Sequence, residues 1–223
     1  MKLATRTQRH KVAQAVRDLI KTIYLVRHGA TGYNDQDLFQ GVSDNSLSEK
    51  GKQESEKLAQ RLKDETIDII FHSPLTRARQ TAEIIDRYHQ AKLYQVDEFI
   101  EMDMGDWEGL NFFKVMKEQA EIYQQLVSDP GAKIPGGESF DQVFNRVKPG
   151  VDKVMASKEK NILISAHAMV NRAILGHLLG LESIKALKFR MDNCAFSRLL
   201  LFKTLEGENI VVDTWNTVDH LIV

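Results

Sequence analysis

Three short apolar runs in this 223-residue chain each give way to cationic or potentially cationic side chains. TIYLV (22–26) runs into Arg27 and His28, IDIIF (67–71) into His72 and then Arg77, and NILIS (161–165) into His167. An imidazole beside a guanidinium admits three readings: a nucleophile, a metal ligand or a hydrogen-bonded loop residue. Taken singly, a histidine at a strand end is more often structural than catalytic. Three such endings together shift that balance, because ligands of an open α/β sheet bind beyond the carboxyl ends of its parallel strands, along one edge. Arginines and histidines gathered there, with helix N-termini starting nearby, suit an anion, and a phosphate is the obvious guest. Neighbouring strand residues point to opposite faces, so Arg27 and His28 reach one ligand only where strand has become loop. Gly29 permits that bend and a close backbone approach to the ligand.

Metal ligation is the weaker alternative. His28, His72 and His167 sit in no H-x-x-x-H or H-E-x-x-H pattern, and two arginines at the same edge repel a divalent cation. We expect no metal and no cofactor.

The elements that must position these residues alternate. LYQVDEF (93–99), FSRLLLF (196–202) and NIVVDTW (209–215) complete the strand-like set. Between the strands lie helical patterns: one capped by Ser48 with Leu58 and Leu62 on a single face, one beginning after Pro74, and one ending at Gly180. Such alternation predicts an α/β fold, three layers in an α/β/α sandwich around a mostly parallel sheet. Residues 108–150 break the rhythm with NFFKVMKEQAEIYQQLVS, a turn-rich stretch and then FDQVFNRVKPGVDKVMA, which reads as a small helical lobe inserted in a domain spanning 22–223.

Residues 1–21 hold six Lys or Arg and one acid, with Val12, Val16, Leu19 and Ile20 spaced for one helical face from about Val12. This basic extension reads as a surface helix, with a targeting segment the alternative. Over the whole chain charge is balanced, 30 Lys and Arg against 31 Asp and Glu, and no dominant basic stripe lies outside the N-terminus, which disfavours a nucleic-acid partner. No apolar run approaches the roughly 20 residues of a membrane span, so a membrane partner is not expected. The lone cysteine, Cys194, excludes an internal disulfide, reads as inert core and fits a reducing, cytoplasmic setting.

Six blocks taken together resemble the histidine phosphatase superfamily, also called phosphoglycerate mutase-like. They are RHGATGYN (27–34), QGVSDNSLSEKG (40–51), SPLTRARQTA (73–82), EMDMGDWEG (101–109), PGGES (135–139) and the segment around His167. The resemblance implies that His28 is a phosphate-accepting nucleophile, that Arg27, Arg77 and His167 bind the phosphoryl oxygens, and that Glu101 is the general acid and base. Among the six acids between 97 and 108, only the family pattern selects Glu101; composition alone reads the stretch as a solvated loop. Gly29, Thr31, Asn34, Gln40 and Gly41 match positions near the phosphate or the rest of the substrate. Arg79 is a further candidate contact, although two helical positions turn it about 200° from Arg77 and toward solvent. The family usually has Ser-His-Gly at the second histidine. Here SAHAMV places Ala168 after His167, where its backbone N–H could still meet an anion.

The resemblance implies a metal-independent phosphatase acting on a small phosphorylated metabolite, as a monomer or homodimer. Cofactor-dependent phosphoglycerate mutase is the sibling reading. It is disfavoured because RHGATGYN departs from the mutase-type RHGESxWN and because residues 110–134 hold three lysines and no arginine. A non-catalytic phospho-ligand binder would be expected to lack the nucleophile or the acid, and both are present. Tyr33, Phe39, Trp107, Phe112 and Phe113 flank the motifs and either line an entrance or are ordinary core.

Overall fold

A computed structural model of the chain describes residues 18–205 and 207–222. Six strands form one sheet: β1 (Asp18–Arg27), β2 (Ile69–His72), β3 (Lys92–Gln95), β4 (Asn161–Ala166), β5 (Phe196–Thr204) and β6 (Gly207–Thr217). Their order is β3-β2-β4-β1-β5-β6: β3, β2, β4 and β1 are mutually parallel, β5 is antiparallel to β1, and β6 is antiparallel to β5. Between the strands run α1 (Gly32–Asp35), α2 (Glu49–Leu62), α3 (Thr76–Asp86), α4 (Phe112–Glu118), α5 (Ala120–Ser128), α6 (Phe140–Ala156), α7 (Ala168–Leu179) and α8 (Ser183–Ala186).

The three-layer arrangement follows from side-chain alternation along the central strands. Ile23 and Leu25 of β1, with Ile162 and Ile164 of β4, bury against α6 and α7 through Val143, Val147, Val170 and Ile174. Tyr24 and Val26, with Leu163, bury on the other face against α2 and α3 through Leu58, Leu62, Ala82 and Ile85. Strands covered on both faces need near-continuous apolar runs, which is why TIYLV and NILIS are legible in the sequence. Val26 pairs with Ser165, and His72 also pairs with Ser165, so β1, β2 and β4 end at the same level. That register brings His28, Ser73 and His167 to one edge.

Three expectations are corrected. Leu19 and Ile20 belong to β1, not to a helix: Asp18 pairs with Lys203 and Leu19 with Phe202, so the sheet extends over residues where the short apolar spacing suggested a helical face. The rest of the expected N-terminal helix lies outside the described residues. NFFKVMKEQAEIYQQLVS forms two helices that meet at Gln119 (φ −132°, ψ 36°), whose side chain accepts a hydrogen bond from Trp107 Nε1. FDQVFNRVKPGVDKVMA is α6, packed on α7 in the flanking layer, so the lobe beside the sheet comprises α4 and α5. Among the described residues no helix is long and apolar enough to cross a membrane.

One contact between layers leaves no room for a side chain. A Cβ on Gly51, in the first turn of α2, would lie 1.9 Å from the carbonyl oxygen of Ala30, within the loop after β1. We therefore expect Gly51→Ala to force these backbones apart and to destabilise the fold by about 1–3 kcal/mol. Gly32→Ala, which meets nothing within 4 Å, should change stability by no more than about 0.5 kcal/mol. Denaturant midpoints of the two variants check the difference.

Candidate active site

β1 ends at Arg27, and the loop that follows is held from every side. The His28 N–H donates to Ala166 O (3.1 Å), and its carbonyl accepts from the Cys194 N–H (3.2 Å) and Asn193 Nδ2 (3.0 Å). The Gly29 N–H donates to Thr81 Oγ1 (3.1 Å) and the Ala30 N–H to Glu54 Oε2 (3.0 Å), while Ala30 O accepts from the Ser48 N–H (2.9 Å). The loop backbone is thereby satisfied within the protein, and the side chain of His28 is fixed in place.

His28 is 3% exposed. Its Nδ1 lies 2.7 Å from the carbonyl oxygen of Gly29, and a carbonyl only accepts, so Nδ1 carries the proton and Nε2 keeps its lone pair. The Nε–H of Arg77 points at Nε2 from 3.3 Å. Burial first, then the positive charges of Arg77 and Arg27, hold the imidazole well below its ordinary pKa. The result is a neutral histidine with an unprotonated Nε2, the state required of a nucleophile.

Arg27 donates Nη1 to Met191 O (2.9 Å), while its buried Nε has no protein partner. Arg77, completely buried, gives its two terminal nitrogens to Ser43 O and Gly41 O, both at 2.7 Å, and so also ties down the loop carrying Gln40 and Gly41. Burial lowers the Arg77 guanidinium to about 10, which leaves it protonated at neutral pH. His167 stands with its ring centroid 5.1 Å from that of His28. Burial and the same arginines keep it neutral too. Its Nε2 lies 2.7 Å from Ser73 Oγ, and that oxygen accepts the Leu75 N–H (3.2 Å). Nε2 is the acceptor within reach of the Ser73 hydroxyl proton, so the ring proton of His167 sits on Nδ1, a buried atom without a protein partner. Arg27 Nε and His167 Nδ1 are donors available to phosphoryl oxygens. Gln40 Nε2 is another, because Thr31 Oγ1 occupies the amide oxygen at 2.8 Å.

Glu101 is 4% exposed. Its Oε1 accepts from the Met102 N–H (2.9 Å) and its Oε2 from the Met169 N–H in the first turn of α7 (3.3 Å). The strand-like 93–99 run ends early at Gln95 and passes through a single helical turn, Asp97–Phe99, into this acid-bearing loop. Arg146 on α6 fixes the loop from behind. It donates to the carbonyls of Glu98, Ile100 and Glu101 at 3.0, 2.8 and 2.9 Å and forms a two-pronged ion pair with Glu138. Glu138 in turn accepts from the Asp103 N–H, and the bond to Arg146 helps hold its carboxyl below the usual carboxylate range.

The remaining candidates divide. Thr31 caps α1 and, with Asn34, completes a capping box. Asn34 also approaches Asn193 (3.4 Å). Thr31, Asn34 and Gln40 thus form one hydrogen-bonded wall, which Asn34 joins to the support beneath His28. Gly41 offers no free backbone amide, since its N–H points at both oxygens of Glu108 (3.0 Å each). Gly29 has no left-handed φ, and its N–H goes to Thr81 rather than to a ligand. Glycine is needed there because a Cβ would meet Gly51 O at 2.4 Å and Ser55 Oγ at 2.6 Å, so its role is to let α2 approach. Arg79 is excluded from the pocket: it lies exposed on α3, paired with Glu83 at 2.7 Å. Ala168 opens α7 without positive φ, so its Cβ is accommodated. His72 turns its Nδ1 to Ser73 O and takes no part in the cluster. Cys194 is buried, with its thiol pushed up to about 12 by burial, in keeping with an inert core residue. Phe39 and Trp107 pack together at 5.1 Å beside the site, whereas Phe113 faces solvent.

Sequence reasoning missed Ser73, Arg146, Glu138 and Glu108 as positioning residues. All but Arg146 lie inside quoted blocks, yet nothing local distinguishes a serine that orients a ring from one that caps a turn. If Ser73 sets the His167 tautomer, Ser73→Ala should lower kcat more than it raises KM. In the 15N spectrum, His167 should then lose its uniform Nδ1–H signature for a mixture of tautomers. An unchanged spectrum would remove this role from Ser73.

Comparison with known proteins agrees with the geometry. The profile of the histidine phosphatase superfamily (branch 1) matches residues 23–218. Phosphoserine phosphatase 1 of Hydrogenobacter thermophilus is 34% identical over 181 residues, covering 80% of this chain and 85% of that protein. A probable phosphoglycerate mutase, GpmB, of Photorhabdus laumondii is 33% identical over 204 residues, covering 89% and 94%. Among solved structures, a mycobacterial glucosyl-3-phosphoglycerate phosphatase complexed with VO3 superposes with a TM-score of 0.80 at 25% identity, over 88% of this chain and 99% of that one. A putative α-ribazole-5′-P phosphatase of Escherichia coli gives 0.75 at 26% identity, over 88% and 97%. This chain belongs to the histidine phosphatase superfamily.

Proposed function

We propose that the protein is a phosphatase of small phosphomonoesters that works through a phosphohistidine intermediate, without a metal or organic cofactor. The observation that carries this reading is the neutral His28, its Nδ1–H on Gly29 O and its Nε2 facing Arg77. Nε2 attacks phosphorus in line; the N–P bond forms as the P–O bond to the leaving group breaks. The ring gains positive charge in that step, and the Gly29 carbonyl at Nδ1–H stabilises it. Arg27, His167 Nδ1–H and Gln40 take the equatorial oxygens in a buried setting where hydrogen bonds to charge are strong. Glu101 gives its proton to the departing oxygen, then accepts one from the water that attacks the phosphohistidine, which restores neutral His28.

Both phosphatases and probable mutases occur among the relatives, and the lobe residues favour the former: residues 110–134 hold Lys114, Lys117 and Lys133 and no arginine to clamp a second strongly anionic group. The proposed partner is a small phosphorylated metabolite rather than a nucleic acid or a membrane. The proposed setting is the cytoplasm, where a single unpaired thiol is stable.

The test is hydrolysis of phosphomonoesters in EDTA. We expect activity to persist there and to disappear in His28→Ala. Glu101→Gln should lower kcat about 10²–10⁴-fold on an alkyl phosphate. It should cost much less on 4-nitrophenyl phosphate, whose leaving group departs without a proton. A requirement for added metal, survival of activity in His28→Ala, or phosphate exchange on 3-phosphoglycerate dependent on 2,3-bisphosphoglycerate would each contradict the reading.

A further inference from the structure

A cavity of about 190 Å³ lies between the acid-bearing loop, α5 and α7. Its walls are apolar, among them Phe39, Met102, Trp107, Leu126 and Met169. The one side chain in its lining with a full charge is Arg172, on α7. Arg172 contacts the Met169 thioether through Nη1 at 3.3 Å, a weak acceptor, and its Nε is buried without a partner. Among the described residues no carboxylate comes within ion-pair distance of it. Arg172 is half-buried, and a guanidinium partly withdrawn from water with no anion beside it is less favourable than a paired one.

The position of the cavity explains the arrangement. Met102 and Met169, whose N–H groups hold the two oxygens of Glu101, both line it, so the cavity adjoins the loop and the helix turn that position that carboxyl. Among the acidic side chains, the charge of Glu101 acts most strongly on Arg172, without forming an ion pair with it.

We propose that this cavity is the leaving-group subsite and that Arg172 makes it select phosphomonoesters whose organic part is apolar and ends in an anionic group, a carboxylate or its equivalent. The apolar walls take the body of the leaving group, and the guanidinium takes the anion as a charged, two-pronged hydrogen-bond donor. The assignment rests on the phosphatase reading of the site.

The experiment compares matched aryl phosphates, 3- and 4-carboxyphenyl phosphate against the 3- and 4-carbamoyl compounds, which have nearly the same size but no charge. In the wild-type protein, kcat/KM for one of the carboxylates should exceed that of its carboxamide by about tenfold or more. In Arg172→Met that ratio should fall to within about threefold of one, and Arg172→Lys should retain part of it. Hydrolysis of both members of each pair at equal rates by the wild type overturns the subsite while leaving the phosphatase reading intact. Persistence of the full ratio in Arg172→Met also overturns it. Hydrolysis of none of the four compounds overturns the phosphatase reading and the subsite with it.

Discussion

The hydrogen bond from His28 Nδ1–H to the carbonyl of Gly29 is the constraint on which the site depends. It spans only 2.7 Å and one residue, yet it decides which ring nitrogen is free. A free Nε2 would still be protonated part of the time in water. Burial and two guanidinium groups remove that option, so the ring remains a base without becoming a cation. In the proposed reaction the same arginines also serve the substrate. A cation that repels a proton from the nucleophile attracts the phosphate to it, and one electrostatic arrangement accounts for both.

Everything else keeps that arrangement rigid. The parallel strands finish at one level, the loop after β1 is bonded to β4, α2, α3 and the segment before β5, and Arg77 links the nucleophile to the loop at Gly41. On the opposite wall, the Arg146–Glu138 pair holds the backbone under Glu101. Donors fixed before the reaction need no reorganisation while charge moves, which is the main way a protein lowers the barrier to phosphoryl transfer. The tight contact of Gly29 and Gly51 belongs to this scaffold: two facing glycines allow a helix to rest directly on the loop that bears the nucleophile.

The central sheet was legible because doubly covered strands must be apolar along their whole length and because they end abruptly in charge. His28, Arg27, Arg77 and His167 are visible for the same reason. Glu101 is not, since an acid in an irregular loop looks solvated until its burial is known; only the resemblance singled it out. The roles of Gly29 and Ser73 depend on partners in other elements, Gly51 and Thr81 for one and His167 for the other, and no local pattern encodes them. The strand at Leu19 and Ile20 was hidden by a short apolar spacing that fits helix and strand alike, and pairing with the end of β5 decided between them. Arg172 sits between the buried Asn171 and Ala173 of α7, where the sequence gives no sign that its counter-ion is absent.

The most direct measurement is the chemistry of the phosphoenzyme itself. Rapid quenching of the protein with an activated aryl phosphate, followed by alkaline digestion and 31P NMR, identifies the phosphorylated residue and the nitrogen involved. The account predicts an acid-labile, base-stable phosphohistidine at position 28 carrying phosphorus on Nε2. Phosphorus on Nδ1, on another residue or on none during turnover would contradict it.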